Sequence, residues 1–191
     1  MRDVPRVHWV VAALMLFALW HFGQSAYIHA KAKLAQFLIR DAWEQTLAGG
    51  REVKPWPWAD TWPIARLRVP RLDVELYVLA GASGRTLAFG PGHLYGTAEP
   101  GTAGNSVISA HRDTHFAFLK DLRRNDEIII ETPTHMQRRY VVTDTSVVDQ
   151  HDPGPLHADS APRLTLVTCY PFDAIMPNGP LRYIVSAAYA G

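Results

Sequence analysis

The stretch LTLVTCYPF, Leu164 to Phe172, carries the only cysteine in this 191-residue chain. An apolar, β-branched run leads into the thiol, and Tyr170-Pro171 stops the strand directly behind it. A lone strand cysteine is ordinarily a small buried hydrophobe, but a strand end opens to solvent, where a thiol can react. A thiol nucleophile requires an imidazole and a donor for the oxyanion it creates. Among His93, His111, His115, His135, His151 and His157, the favoured imidazole is His111, which closes the strand NSVISAH and leads into Arg112-Asp113. His93, in GPGHLYG, suits a structural loop role, and the last three lie in polar, turn-like surroundings. The strand after the cysteine loop opens with Leu181-Arg182. If the two strands are antiparallel neighbours, Arg182 meets Cys169 at one sheet edge, where a guanidinium can hold a carbonyl or an oxyanion. Taken alone, Arg182 reads better as a solvent-facing strand residue.

These residues need a scaffold that brings strand ends together, and the chain between them supplies strand patterns. Leu72, Val74, Leu76 and Val78 alternate with polar or amphipathic neighbours, which predicts a half-buried strand. Further strands are expected over 106–110, 127–131, 139–148, 163–168 and 181–188, with a helical turn over 116–122. Fourteen prolines and thirteen glycines separate them, favouring an antiparallel barrel or sandwich over a helical bundle.

The start of the chain differs in kind. Val7 to Ile28, VHWVVAALMLFALWHFGQSAYI, holds no fully charged side chain and has about the length of a membrane span. Trp9, Trp20 and Tyr27 suit interfacial belts, whereas Arg2 and Arg6 before it and Lys31 and Lys33 after it orient it only weakly. Ala30 and Ala32 frame a possible signal-peptidase site, but the apolar run is long for a cleaved signal, so an uncleaved anchor is expected. A helix continuing over 30–47, with Leu34, Phe37, Leu38 and Trp43 roughly on one face, should end at Gly49-Gly50. The Pro/Trp-rich segment KPWPWADTWP, 54–63, reads as an extended strap packed on its own domain. The expected organisation is an anchor over 1–28, a juxtamembrane helix and strap over 29–63, and a catalytic domain over 64–191.

Composition narrows the function classes. The net charge of +1 gives no basic surplus for nucleic acid, and 48% hydrophobic content is that of a folded chain. One cysteine makes neither an internal disulfide nor a cysteine zinc site. His111 and His115 have H-x-x-x-H spacing, but Arg-Asp-Thr between them lacks a metalloprotease glutamate. No metal and no cofactor are expected.

Together, TLVTC at 165–169, SAHRDTHF at 109–116 and an arginine opening the following strand resemble a sortase. GPGHLYGTAEPG and FLKDLRRNDEI extend the resemblance over roughly 64–188, and the strap and TCYPFDAIMPNGPLRYIV look most like sortases of Gram-negative bacteria. The resemblance implies a mainly all-β fold, a closed eight-stranded barrel with short helices behind an N-terminal transmembrane helix. It implies Cys169 as nucleophile, His111 as general acid/base and Arg182 as oxyanion or substrate stabiliser, with Thr168 and Tyr170 as candidates for substrate contact. The implied reaction cleaves an LPXTG-like C-terminal sorting signal between Thr and Gly through a thioacyl-enzyme. An amine, from a cell-envelope component or a protein, then accepts the acyl group. The implied location is the membrane bilayer, single-pass, with the catalytic domain extracytoplasmic (periplasmic in a Gram-negative cell). Glu99, Asp144 and Asp149 are too scattered to suggest the calcium site of some sortases. Asn125-Asp126 replaces a common Gly-Asp, a change that asparagine's tolerance of left-handed backbone permits. Two alternatives stand beside this reading. An L,D-transpeptidase would need Ser, Gly and Arg where Leu166, Thr168 and Pro171 stand. An anchored binding domain would leave the cysteine inert.

Overall fold

The computed structural model describes residues 6–157, 160–174, 176 and 179–191. Two compact units divide at Phe37 and Leu38. The first is the greater part of helix α1 (Arg6–Leu47), in which Trp9, Leu16, Phe17, Trp20 and Phe22 are all exposed. Among the described residues, α1 is the one helix long and apolar enough to cross a membrane, by length and composition.

The second unit opens with the last turns of α1. Ile39, Ala42, Trp43 and Thr46 are buried there, spaced three and four apart as one helical stripe requires. This corrects the expected face. Trp43 lies nine residues beyond Leu34, about half a turn out of phase at 3.6 residues per turn, and Leu34 and Phe37 are exposed. Gly49, at φ 100°, adopts the left-handed conformation that ends the helix, with Gly50 N–H donating back to the Gln45 carbonyl. The strap then packs as expected through Trp56, whose ring meets Phe89 edge-on at 4.9 Å, and through the Thr61 hydroxyl, which donates to the Ala80 carbonyl. Trp58 is the exception, at 82% exposure.

Eight strands follow: β1 (Pro63–Val69), β2 (Val74–Ala80), β3 (Gly92–His93), β4 (Asn105–Ser109), β5 (Glu127–Glu131), β6 (Gln137–Asp149), β7 (Arg163–Tyr170) and β8 (Leu181–Tyr189). They close into a barrel in the order β1-β2-β3-β4-β7-β8-β6-β5, with β5 pairing back onto β1. Among the described residues, only β2–β3 and β4–β7 pair in parallel. Alternation is clearest along β1. On β1, residues 63, 65, 67 and 69 are buried while 64, 66 and 68 are only partly so. Leu67, Ile108, Ile128, Ile130, Tyr140, Leu164, Leu166 and Val185 form the centre of the core.

The strand expected from Leu72 starts at Val74. Leu72 ends a 3₁₀ turn (Pro70–Leu72), and Asp73 turns through φ 52°, so the alternation across 72–74 spans a bend. The expected helical turn over 116–122 is a 3₁₀ segment, Ala117–Asp121, with Phe116 and Leu119 in the core. Asn125 does take the left-handed conformation, at φ 71°.

Candidate active site

The barrel's register assembles the site. In the parallel β4–β7 pair, Asn105 faces Arg163 and Ser109 faces Val167. The match continues past the end of β4, because Ala110 N–H donates to the Val167 carbonyl and the Thr168 hydroxyl donates to the Ala110 carbonyl at 2.7 Å. One step further sets His111 beside Cys169. In the antiparallel β7–β8 pair, Cys169 faces Arg182 directly. Cys169 and Arg182 therefore sit side by side on neighbouring strands, about 4.8 Å apart as paired strands are, and His111 extends this row two residues past the end of β4.

Alternation also fixes the face. Ile108 and Ala110, Leu164 and Leu166, and Val185 and Ala187 point into the core. Cys169, His111 and Arg182 have the opposite parity and leave the outer face. The thiol is free and half-buried, His111 is exposed, and Arg182 is half-buried.

Arg182 is held by neutral acceptors. Its Nη1 donates to the Gly179 and Leu181 carbonyls at 2.7 and 2.8 Å, and its Nη2 donates to Gln150 Oε1 at 2.9 Å. A guanidinium has five N–H donors, so Nε–H and one Nη2–H have no hydrogen-bond partner among the described residues. The group is oriented without being tied to a carboxylate. Asp149, nearby, is held below the usual carboxylate range by hydrogen bonds from the His151 N–H and ring, with the Arg182 charge adding to the effect.

The other histidines have different tasks. His93 is buried, with Nε2 2.9 Å from the Ala98 carbonyl and 3.0 Å from the Thr97 hydroxyl, and so fastens its loop. Burial, reinforced by the charge of His111, pushes His115 below the ordinary histidine range, which disfavours the cation that a proton donor must carry. His151 pairs with Asp149, and His135 Nε2 lies 3.2 Å from the Leu47 carbonyl.

Thr168 and Tyr170 are the residues expected to contact substrate. They flank Cys169 in sequence, and a strand's two-residue period puts both on the face opposite the thiol. Thr168 is buried with its hydroxyl on Ala110, locking the register that aligns His111. Tyr170 stacks on Tyr183 at 6.1 Å and meets Phe172 edge-on, within an aromatic cluster. The cavities near the His-Cys-Arg row lie on the outer face. A cavity of about 220 Å³ has Ser109, Val167 and Ile184 as its floor, the row next to the His-Cys-Arg row, and Arg182 at its edge. Pro155 and Leu156, from the 3₁₀ turn Gly154–Leu156, roof it. A second cavity of about 250 Å³ continues along the same face past Thr165 and Ser186.

Sequence reasoning missed two supporting side chains. Gln150 orients Arg182 from the end of β6. Arg112 Nη2 donates to the Ala174 and Met176 carbonyls, holding the β7–β8 link beside the thiol. Its partners lie 62 and 64 residues downstream, beyond any local pattern; adjacency to His111 was the one available signal.

Residues 67–190 match the family model of the sortase domain. Over 120 residues, 62% of this chain, the sequence is 31% identical to Sortase D of Bacillus subtilis (strain 168), and the match spans 60% of that relative's length. Among solved structures, a Clostridium perfringens Sortase D5 transpeptidase is 27% identical with a TM-score of 0.61, covering 80% of this chain and 89% of its own. Sortase A from Corynebacterium diphtheriae is 26% identical with a TM-score of 0.63 and 85% coverage of both chains.

Proposed function

Since the chain belongs to the sortase family, we propose that it is a cysteine transpeptidase in which Cys169, His111 and Arg182 carry the reaction. The Cys169 thiolate attacks the Thr carbonyl carbon of an LPXTG-like sorting signal, forming a C–S bond and moving the carbonyl electron pair onto oxygen. The free donors of Arg182 stabilise that oxyanion, and its charge lies where negative charge develops. As the tetrahedral species collapses, the C–N bond breaks and His111 gives its proton to the departing glycine amine. The thioacyl-enzyme keeps the substrate's acyl part. An amine from a second molecule then attacks the thioester, His111 accepts its proton, and the thiolate leaves as a new amide forms. Splitting one amide exchange across a thioester makes two easier steps.

One observation supports this reading: Cys169 faces Arg182 across β7–β8, His111 lies two residues past the end of β4, the strand paired with β7, and Arg182 lines the adjoining cavity. The cleft gives the peptide a place to lie along β7 with its scissile carbonyl at Cys169. Residues 1–28 act as a single-pass anchor, 29–63 as stem and strap, and 64–191 as the catalytic domain, facing the extracytoplasmic side. The length and apolar surface of α1 support the anchor.

The test uses a fluorogenic LPXTG-type peptide and a small amine such as an oligoglycine, with mass spectrometry of protein and products. A peptide cut after Thr, a thioacyl adduct on Cys169 and an amine-ligated product are expected. An unmodified thiol with no product would overturn the assignment and favour an anchored binding domain.

A further inference from the structure

Asn105 opens β4 at the far end from His111, and its side chain is buried at 6% exposure. Its Nδ2 donates to the Pro155 carbonyl at 2.9 Å and to the His157 carbonyl at 3.2 Å. Its Oδ1 accepts from the Thr165 hydroxyl at 2.8 Å, and Thr165 is itself 2% exposed. Both amide hydrogens are thus committed, and a second side chain fixes which way the amide faces. The two accepting carbonyls bracket Leu156, in the roof of the cleft beside Cys169, and Pro155 belongs to both cavities.

Within the roof, the turn's own hydrogen bonds are local and do not reach the barrel. Leu156 N–H donates to the Pro153 carbonyl, His157 N–H to the Gly154 carbonyl and Gly154 N–H to Asp152 Oδ1 at 2.8 Å, all bonds within the turn and its approach. Leu156 remains 48% exposed, so apolar burial does not fasten it either. The buried amide supplies what the turn lacks.

We infer that Asn105 is a positioning residue that pins the Gly154–Leu156 turn over β4, β7 and β8 and so sets the shape of the cleft that receives the substrate. This inference rests on the transpeptidase reading for its kinetic consequence, but not for its structural one. Asn105 touches no reacting atom, and the residues it holds lie upstream of the His-Cys-Arg row. It therefore acts on recognition rather than on the chemical step.

Asn105→Asp is the sharpest probe. The carboxylate keeps the acceptor for Thr165 but has no N–H for the two roof carbonyls, and a negative oxygen then faces them. Hydrogen exchange of the full-length chain in detergent reads the latch directly. The Leu156 and His157 amides should exchange at least about tenfold faster, the scale of one lost buried hydrogen bond, while those of Val107 and Ile108 stay protected. With sorting peptides, KM should rise about tenfold with kcat within about threefold of wild type. The preference between peptides carrying Leu or Ala upstream of the cut should shrink by a similar factor. Thr165→Val, which only frees the amide to rotate, should shift each readout in the same direction by less, and it carries the test if Asn105→Asp fails to fold. Unchanged exchange at Leu156 and His157 would overturn the latch. Accelerated exchange with unchanged KM and selectivity would overturn its role in recognition. Absence of peptide turnover by the wild-type chain would instead count against the transpeptidase reading, leaving the exchange result to decide the latch.

Discussion

Replacing Arg182 by lysine keeps the positive charge and removes the planar fork, which separates the two things the residue could supply. In the folded chain, three guanidinium hydrogens go to Gly179, Leu181 and Gln150, leaving two for a substrate oxyanion. An ammonium has three donors on one atom. To reach the oxyanion it must release backbone carbonyls or Gln150, and to keep them it must withdraw from the reacting carbon. Loss of one oxyanion donor lowers kcat by about 100–1,000-fold, and Arg182→Lys should fall in that range. The side chain is half-buried and bonded only to neutral acceptors, so stability should change by about 1 kcal/mol or less. For a chain of this size that is a shift in Tm of about 2–4 °C. The assay pairs steady-state peptide cleavage with a thermal melt on the same preparation. Near-normal kcat with an unchanged melt would refute the reasoning: Arg182 would then supply charge alone, and another donor, such as a backbone N–H after Cys169, would hold the oxyanion.

Cys169→Ala should abolish both cleavage and transfer with the circular dichroism spectrum intact; residual turnover by purified protein would remove the thiol from the mechanism. Alanine substitutions should separate the histidines. His111→Ala loses about 100–10,000-fold in kcat with little change in Tm, whereas His93→Ala, which empties a buried hydrogen-bonded site, should lower stability by about 1–3 kcal/mol. Equal kinetic losses at His93 or His115 would contradict the choice of His111. The Asp126 carboxyl is held below its usual range, first by its hydrogen bonds from Arg71 and then by the Arg123 backbone N–H. A depressed folded pKa gives stability that is present above the unfolded value of about 3.9 and lost as pH falls through the folded value. Acid titration of Asp126→Asn should therefore show a lower Tm at neutral pH and less further loss below about pH 4; a loss parallel to wild type would exclude this ion pair as the source. Mass spectrometry of protein extracted from membranes should find residues 1–28 retained, and a mature form beginning near Ala32 or Lys33 would show them removed.

Much of the site was legible because its chemistry sits at strand ends. Cys169 is the penultimate residue of β7, Arg182 the second of β8, and His111 lies two residues past β4, so each strand end runs slightly differently from the sequence pattern, and the Cys169–Arg182 pairing needed only a short antiparallel connection. The parallel match of β4 to β7 was not legible, since it joins segments some 58 residues apart and no local period encodes it. Thr168 and Tyr170 adjoin Cys169 in sequence, and in a strand the immediate neighbours of a residue are the ones that face away from it. The two-residue β3 is too short for any periodic signal. The stripe on α1 was misassigned because a helix so apolar over its first half gives little contrast between faces. Gln150, Asn105 and Arg112 were invisible for a common reason: each acts on a distant backbone carbonyl or side chain, and a carbonyl leaves no mark in the sequence.

The placement of β8 between β6 and β7 has a consequence for how such a protein can change. Both strands that carry the roof segment, Gln150 to Pro162, are paired along their length to this one common neighbour. The take-off and landing points of that segment are therefore fixed whatever lies between them. A flexible connection between fixed ends becomes harder to close only slowly with length, by about 0.6 kcal/mol for each doubling. The barrel is thus a chassis on which the roof is an exchangeable part. With Gln150 kept on Arg182, a longer, shorter or differently charged roof changes the cleft without altering the β6–β8 and β7–β8 pairing that sets Cys169 opposite Arg182.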